Sequence, residues 1–139
     1  MESDAGGPFG CVIARGDEIV GEGSNRVTST NDPTAHAEVV AIRDACSRLK
    51  TFQLTGCTVY TSCEPCPMCL GAILWARPEA MYFAGTREDA AEAGFDDEHF
   101  YNELYRANDE RELPLQNLLR DEARAVFRAW IDKPDKVEY

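Results

Sequence analysis

The stretch Thr61-Ser62-Cys63-Glu64-Pro65-Cys66-Pro67-Met68-Cys69 decides the fold of this chain when it is read together with His36-Ala37-Glu38. The two stretches supply one imidazole, one carboxylate and two thiols in a Cys-x-x-Cys spacing. A catalytic zinc ion takes three protein ligands and keeps its fourth position for water or substrate. We therefore predict one zinc ion per chain, bound by His36, Cys66 and Cys69, with Glu38 free to move protons.

The Cys-x-x-Cys spacing alone is open to two other interpretations. It could be a redox pair or a structural zinc knuckle, but both leave Glu38 without a role. The spacing Cys63-x-x-Cys66-x-x-Cys69 also resembles the start of an iron–sulfur ligand run, which needs a fourth cysteine about four positions on, where this chain has Ile73. The joint pattern favours a catalytic zinc site, and a non-catalytic zinc module stays the main alternative class.

The other cysteines are expected to be ordinary packing residues. Cys63 could be a ligand, but its place on the strand side of the turn favours a small buried side chain. Cys11, Cys46 and Cys57 are expected in the core. Because three of the six cysteines fall in one turn region and residues 1–5 show no signal peptide, we expect a reduced, cytoplasmic protein.

Composition limits the class of partner. The chain has 139 residues, a net charge of −11 and 44% apolar residues, which is typical of one globular domain, with residues 132–139 as a polar tail. No apolar run is long enough to span a membrane. Nucleic-acid-binding proteins usually carry a basic surface, so the acidic charge weighs against RNA or DNA as a partner.

Periodicity predicts the order ββαβαβ, followed by helices. Strands are expected at 9–14, 18–23, 58–62 and 80–84, and helices at 66–75, 89–94, 97–107 and 120–131. A further helix, capped by Asp32 with Pro33 in its first turn, should carry His36 and Glu38 near its positive end. Residues 113–118 could be strand or loop.

Two helices carry apolar stripes, and two aromatic residues are expected in the core. The stripe of the first helix is Val39, Ile42, Cys46 and Leu49, and that of the last helix is Ala123, Val126, Phe127 and Trp130. Judged by spacing alone, Trp75 and Phe95 are expected to be core residues rather than residues that stack on a ligand.

Several segments together resemble the cytidine deaminase superfamily and, within it, bacterial guanine deaminases. The zinc motif carries the superfamily resemblance, since H-x-E…P-C-x-x-C is the signature of zinc-dependent nucleobase deaminases. The narrower resemblance comes from Gly94-Phe95-Asp96-Asp97 and from the ending Val137-Glu138-Tyr139. Further matching segments are 6–10, 31–38 and 61–77, so the resemblance covers most of the chain.

The resemblance implies a fold and a reaction. The fold is a three-layer α/β/α arrangement around a mixed five-stranded sheet. The reaction is hydrolysis of guanine to xanthine and ammonia, and the alternatives within the superfamily are deamination of guanosine, cytosine or transfer-RNA adenosine. Members carry a helix before the first strand, which here is apparently absent because only residues 1–5 precede Gly6.

The same resemblance implies roles for three further residues and an assembly. Asn25 would hydrogen-bond the bound base, and Asp97 would recognise it and help to transfer protons. The tail at 132–139 would close over the active site. The chains would form a homodimer with exchanged C-terminal segments, so that Tyr139 would lie in the partner's site.

Overall fold

The computed structural model describes residues 6–139. The expectations made for residues 1–5, a missing helix and a missing signal peptide, lie outside the described residues. The chain divides into two compact units, Met1–Tyr101 and Asn102–Tyr139. The candidate zinc ligands all belong to the first unit.

The first unit follows the predicted order ββαβαβ, with one added helical turn. Its elements are β1 (Gly10–Arg15), β2 (Glu18–Ser24), α1 (Val27–Thr30), α2 (Ala37–Leu49), β3 (Thr58–Cys63), α3 (Pro67–Ala76), β4 (Ala80–Gly85) and α4 (Arg87–Glu92). Helix α5 (Asp97–Tyr105) begins in the first unit and ends in the second. The added turn is α1.

The sheet is mixed, as predicted, but has four strands rather than five. The strand order is β2-β1-β3-β4. Strand β1 pairs antiparallel with β2 and with β3, whereas β3 and β4 run parallel. Among the described residues no fifth strand forms: residues 113–118 lack regular structure. They include Pro114, which has no N–H to give to a strand ladder.

Helix α2 packs on the sheet through alanines. Ala37, Ala41 and Ala45 are fully buried, whereas the predicted stripe of Val39, Ile42, Cys46 and Leu49 is only partly buried. Ile42, Cys46 and Leu49 of that stripe pack against the core. The alanines are buried more deeply because β2 presents glycines to the helix: a Cβ at Gly23 would lie 2.1 Å from the Ala37 carbonyl oxygen. The backbones therefore approach too closely for larger side chains between them.

The core lies between α2 and one face of the sheet. Its largest fully buried side chains are Ile13, Leu54, Val59, Cys57 and Cys69. Cys11 and Cys57 are buried, as predicted, and Cys46 is half-buried at the edge of the core.

Trp75 is not a core residue. It is 63% exposed, because it lies two positions after the buried Ile73 of α3 and so points away from the face that Ile73 buries. On the uncovered face of the sheet, Tyr60 and Tyr82 stack with their ring centroids 5.4 Å apart.

The second unit contains α6 (Arg120–Ile131) with the predicted bounds. Every residue of α6 is exposed, including its apolar face. Residues 132–139 form no helix or strand. No helix among the described residues is both long enough and apolar enough to cross a membrane.

Candidate active site

The site is built where the N-termini of α2 and α3 meet. His36 is the N-cap residue of α2 and Cys66 the N-cap residue of α3, and both have extended backbones. We expected α2 to begin at Pro33, but it begins at Ala37. The Asp32 carboxylate instead accepts the Thr34 N–H at 2.8 Å in a local turn.

Three potential metal ligands converge at this point. The ligand atoms of His36, Cys66 and Cys69 all lie within 4.8 Å of one another. His36 Nδ1 is 3.6 Å from Cys66 Sγ and 3.5 Å from Cys69 Sγ. A tetrahedral zinc ion with bonds of about 2.0 Å to nitrogen and 2.3 Å to sulfur holds these atoms about 3.5 Å apart, so the three side chains fit the ion.

The charges of the cluster favour a metal cation. The pKa of the Cys66 thiol is lowered to about 4, mainly by a hydrogen bond with Cys69, and His36 adds to the effect. The pKa of Cys69 is raised, because the two sulfurs then share one proton. The hydrogen bond with Cys66 also raises the pKa of His36. The side chains thus form one hydrogen-bonded group whose protons a divalent cation would displace.

Glu38 lies beside the three ligand residues on the second position of α2. Its side chain is buried; Oε2 accepts from the Cys69 thiol at 3.3 Å, and Oε1 accepts from the Thr61 hydroxyl at 3.3 Å. Sequence reasoning missed Thr61. Alternation along β3 was the available signal, because Val59, Thr61 and Cys63 share the buried face.

A pocket of about 220 Å³ opens beside the cluster. Its lining is Gly7, Phe9, Asn25, Val27, Thr28, His36, Glu38, Cys63, Glu64, Cys66, Phe95 and Asp97. The volume is below the roughly 300–1,000 Å³ of sites for drug-sized ligands, so it suits a small molecule. Asn25 and Asp97 therefore reach the same pocket as Glu38.

Of two residues that line the pocket, Phe95 differs from its simplest sequence interpretation and Cys63 agrees with it. Phe95 is half-buried and meets Phe9 edge to face, with ring centroids 4.7 Å apart, so it forms part of the pocket wall. Cys63 is buried, as expected, and its thiol donates to the Thr86 carbonyl at 3.4 Å. Cys63 is not among the residues that could share a metal ion.

Asp97 begins α5 and is half-buried at the pocket. Burial raises the pKa of its carboxyl, and the neighbouring Cys66 acts in the same direction. The carboxyl therefore takes up a proton more readily than an exposed aspartate does.

Two side chains that sequence reasoning did not single out hold the turn before α3. The Glu64 carboxylate accepts the Arg87 N–H at 3.1 Å, and the Tyr101 hydroxyl donates to the Pro65 carbonyl at 2.8 Å. The Arg87 guanidinium lies 4.9 Å from the centre of the Tyr101 ring. These contacts join the N-terminus of α4 and the middle of α5 to the loop that carries Cys66. The residues they join are too distant in sequence for a spacing pattern.

Comparison with known proteins identifies the family. The profile of the cytidine and deoxycytidylate deaminase zinc-binding region matches residues 2–85. The chain belongs to this family. It is thus a zinc-binding deaminase, and His36, Cys66 and Cys69 form its candidate zinc site.

Relatives of this deaminase differ in how much of it they match. It is 54% identical to guanine deaminase of Bacillus subtilis (strain 168) over 139 residues, which are 100% of this chain and 89% of the relative. An X-ray structure of guanine deaminase from Bacillus subtilis matches with a TM-score of 0.95 and 52% identity, over 99% of this chain and 88% of that one. A tRNA-specific adenosine deaminase of Aquifex aeolicus (strain VF5) is 44% identical over only 77 residues, 55% of this chain and 51% of the relative.

The predicted site residues fall into two groups. His36, Glu38, Cys66 and Cys69 form one hydrogen-bonded cluster, and Asn25 and Asp97 line the pocket beside it. Tyr139 belongs to the second unit, so its role at the pocket stays a prediction.

Proposed function

We propose that this deaminase hydrolyses guanine to xanthine and ammonia. The observation that carries the proposal is the match to guanine deaminase over 100% of this chain, whereas the transfer-RNA enzyme matches only 55% of it. The net charge of −11 also argues against a phosphate-rich substrate. The small volume of the pocket beside the cluster suits a free base better than a larger substrate.

Zinc bound by His36, Cys66 and Cys69 would lower the pKa of its water to about 7 and so supply hydroxide near neutral pH. Glu38 is the group placed to accept the proton of the attacking water, since its carboxylate faces the ligands and is held by Thr61. It would donate that proton to a ring nitrogen, and would then take the remaining proton from the new hydroxyl group and pass it to the leaving amine. Oxygen from water forms a new bond to C2 of guanine. The bond between C2 and the exocyclic amine nitrogen then breaks, and ammonia leaves. The backbone N–H of Cys66, at the start of α3, is proposed to stabilise the charge that develops.

Asn25 and Asp97 are proposed to recognise the base. Asn25 offers an amide and Asp97 a carboxyl to the same pocket. Guanine has both acceptors and N–H donors on its edge, so one amide and one carboxyl complement it. The raised pKa of Asp97 supports a part in proton transfer as well as in binding.

The working enzyme is proposed to be a homodimer with exchanged C-terminal segments, so that residues 132–139, with Tyr139, close over the partner's site. The exposed apolar face of α6 supports this proposal, because a large exposed apolar surface usually marks an interface. We further propose that the enzyme acts in purine catabolism in the cytoplasm. Its six free cysteines agree with a reducing compartment.

The test is ammonia release by zinc-loaded protein from guanine, guanosine, cytosine, cytidine and adenine in parallel. Release from guanine alone is expected, and release from another compound in its place would refute the substrate. Glu38→Gln should keep zinc and the hydrogen bond from Thr61 but lower kcat by about a thousandfold, because an amide cannot accept the proton. Glu18→Gln, an exposed change on β2, is the matched control and should leave kcat unchanged.

A further inference from the structure

The side-chain amide of Asn25 is held in one orientation by the backbone. Asn25 is buried, and its Oδ1 accepts two N–H groups, from Gly7 at 3.3 Å and from Val27 at 3.2 Å. Because N–H groups bind an oxygen and not an NH₂, these two contacts fix which end of the amide is which. Among residues 6–139, Nδ2 has no hydrogen-bond partner, so it is left to donate into the pocket that Asn25 lines.

Gly6 packs directly against Asn25. A Cβ at Gly6 would lie 2.3 Å from the Asn25 carbonyl oxygen and 2.6 Å from its Oδ1. Both distances are shorter than real carbon atoms tolerate, and the first involves backbone, which cannot rotate away. Any side chain at position 6 must therefore displace either Asn25 or the segment that donates to it.

Gly7 extends this close packing to the wall of the pocket. A Cβ at Gly7 would lie 3.2 Å from the Phe9 ring and 3.6 Å from the Phe95 ring. The Gly7 N–H thus reaches Oδ1 while the segment stays within contact of both rings. The two glycines let the chain pass between the amide and the aromatic pair.

We propose that Gly6 is a positioning residue for base recognition. This inference rests on the proposed function. Close packing at Gly6 keeps Asn25 Oδ1 hydrogen-bonded to the backbone N–H groups of Gly7 and Val27, and so aims Nδ2 at a hydrogen-bond acceptor of the substrate. Guanine presents its carbonyl oxygen as that acceptor, and its reacting carbon carries the amine. Gly6 is not among the residues that line the pocket, so its role is to act through Asn25.

The first experiment compares Gly6→Ala with Gly71→Ala. A Cβ at Gly71, on α3, meets nothing within 4 Å, so the same chemical change is made without a clash. Gly6→Ala should raise the KM for guanine at least tenfold and change kcat much less, with one zinc per chain retained. Gly71→Ala should leave both constants unchanged. An unchanged KM in a folded, zinc-loaded Gly6→Ala protein would overturn the proposal.

The second experiment asks whether Gly6 acts through the amide. In an Asn25→Ala background, Gly6→Ala should cost less than about a further twofold in KM, because residues that act as one unit are not additive. A full tenfold cost in that background would show that Gly6 acts by another route.

The third experiment tests the orientation of the amide. Asn25→Asp can still accept from Gly7 and Val27 but cannot donate, so it should lose as much affinity for guanine as Asn25→Ala. Affinity is measured by calorimetric titration of guanine into zinc-loaded protein carrying Glu38→Gln, which separates binding from turnover. Wild-type affinity in Asn25→Asp would refute the proposed donor.

The outcomes separate the two proposals. Binding of guanine that depends on Gly6 and Asn25, without release of ammonia by the wild type, would reject the proposed function and keep the positioning role. Turnover of guanine that is insensitive to Gly6→Ala would keep the proposed function and reject the positioning role of Gly6. Absence of both binding and turnover would reject both.

Discussion

Helices α2 and α6 have similar lengths but opposite surroundings. Helix α6 is the more amphipathic by sequence, yet all of its residues are exposed, with Phe127 67% accessible. Helix α2 has the weaker stripe, yet Ala41 is completely buried against glycines of β2. The comparison shows that an apolar stripe indicates which face of a helix can be buried. It does not indicate whether the unit that contains the helix buries that face.

Removal of zinc should affect the two helices most unequally. His36 is the N-cap residue of α2, so loss of zinc should destabilise the folded first unit, and α2 with it, by about 4 kcal/mol when free zinc had stood at 1,000 times its dissociation constant. Hydrogen exchange after treatment with a chelator should show a large loss of protection in α2 and a smaller one in α6. Equal losses would mean that α6 depends on the site as strongly as α2 does.

The control for zinc removal is Cys46→Ala. Cys46 is half-buried and lies outside the ligand cluster. This variant should bind one zinc ion per chain and respond to the chelator as the wild type does, whereas Cys66→Ala should lose the metal.

Gly23→Ala should break the close packing of α2 on β2. The new Cβ would lie 2.1 Å from the Ala37 carbonyl oxygen and 2.5 Å from the Ala41 nitrogen, so helix and strand must separate. We expect a loss of about 3 kcal/mol in the free energy of unfolding, measured by urea denaturation. Gly71→Ala, in the open on α3, should instead be neutral or stabilise by up to about 1 kcal/mol. Tolerance of Gly23→Ala would contradict the account of α2 packing.

Phe127→Asp should weaken the proposed dimer without unfolding the first unit. Phe127 is exposed on the apolar face of α6, so its loss costs the chain no core contact. Burial of an aspartate in an interface should lower the association constant at least about thirtyfold, as expected for a change of about 2 kcal/mol. Sedimentation analysis measures this, and Arg128→Ala, on the polar side of α6, is the control. A monomer in both the wild type and the variant would refute the dimer.

Removal of Tyr139 should have the smallest effect. If the tail closes over the partner's site, kcat/KM for guanine should fall by about tenfold while zinc is retained, because a positioning contact is lost. Glu138→Gln should be neutral. Wild-type kinetics after removal of Tyr139 would show that the tail does not contribute to catalysis.

Much of the candidate site followed from local spacing. The spacing of Cys66-Pro67-Met68-Cys69 at the start of a predicted helix brings both thiols to one face of its first turn, because the geometry of one turn is fixed. The order of the elements along the chain and the bounds of α6 followed from periodicity in the same way. The start of α2 did not, since the side chain of Asp32 stabilises a turn where a helical cap was expected.

The sequence by itself therefore determined the metal-ligand types, the ββαβαβ order and the position of each ligand at a helix N-terminus. Only the tertiary structure decided that Thr61 holds Glu38, that Gly7 donates to Asn25 while Gly6 packs against it, and that alanines rather than the larger apolar residues of α2 are fully buried. These features depend on how closely segments far apart in sequence approach one another. Residue spacing along a chain fixes directions within one element, whereas contact distances between elements are set by packing of the whole unit.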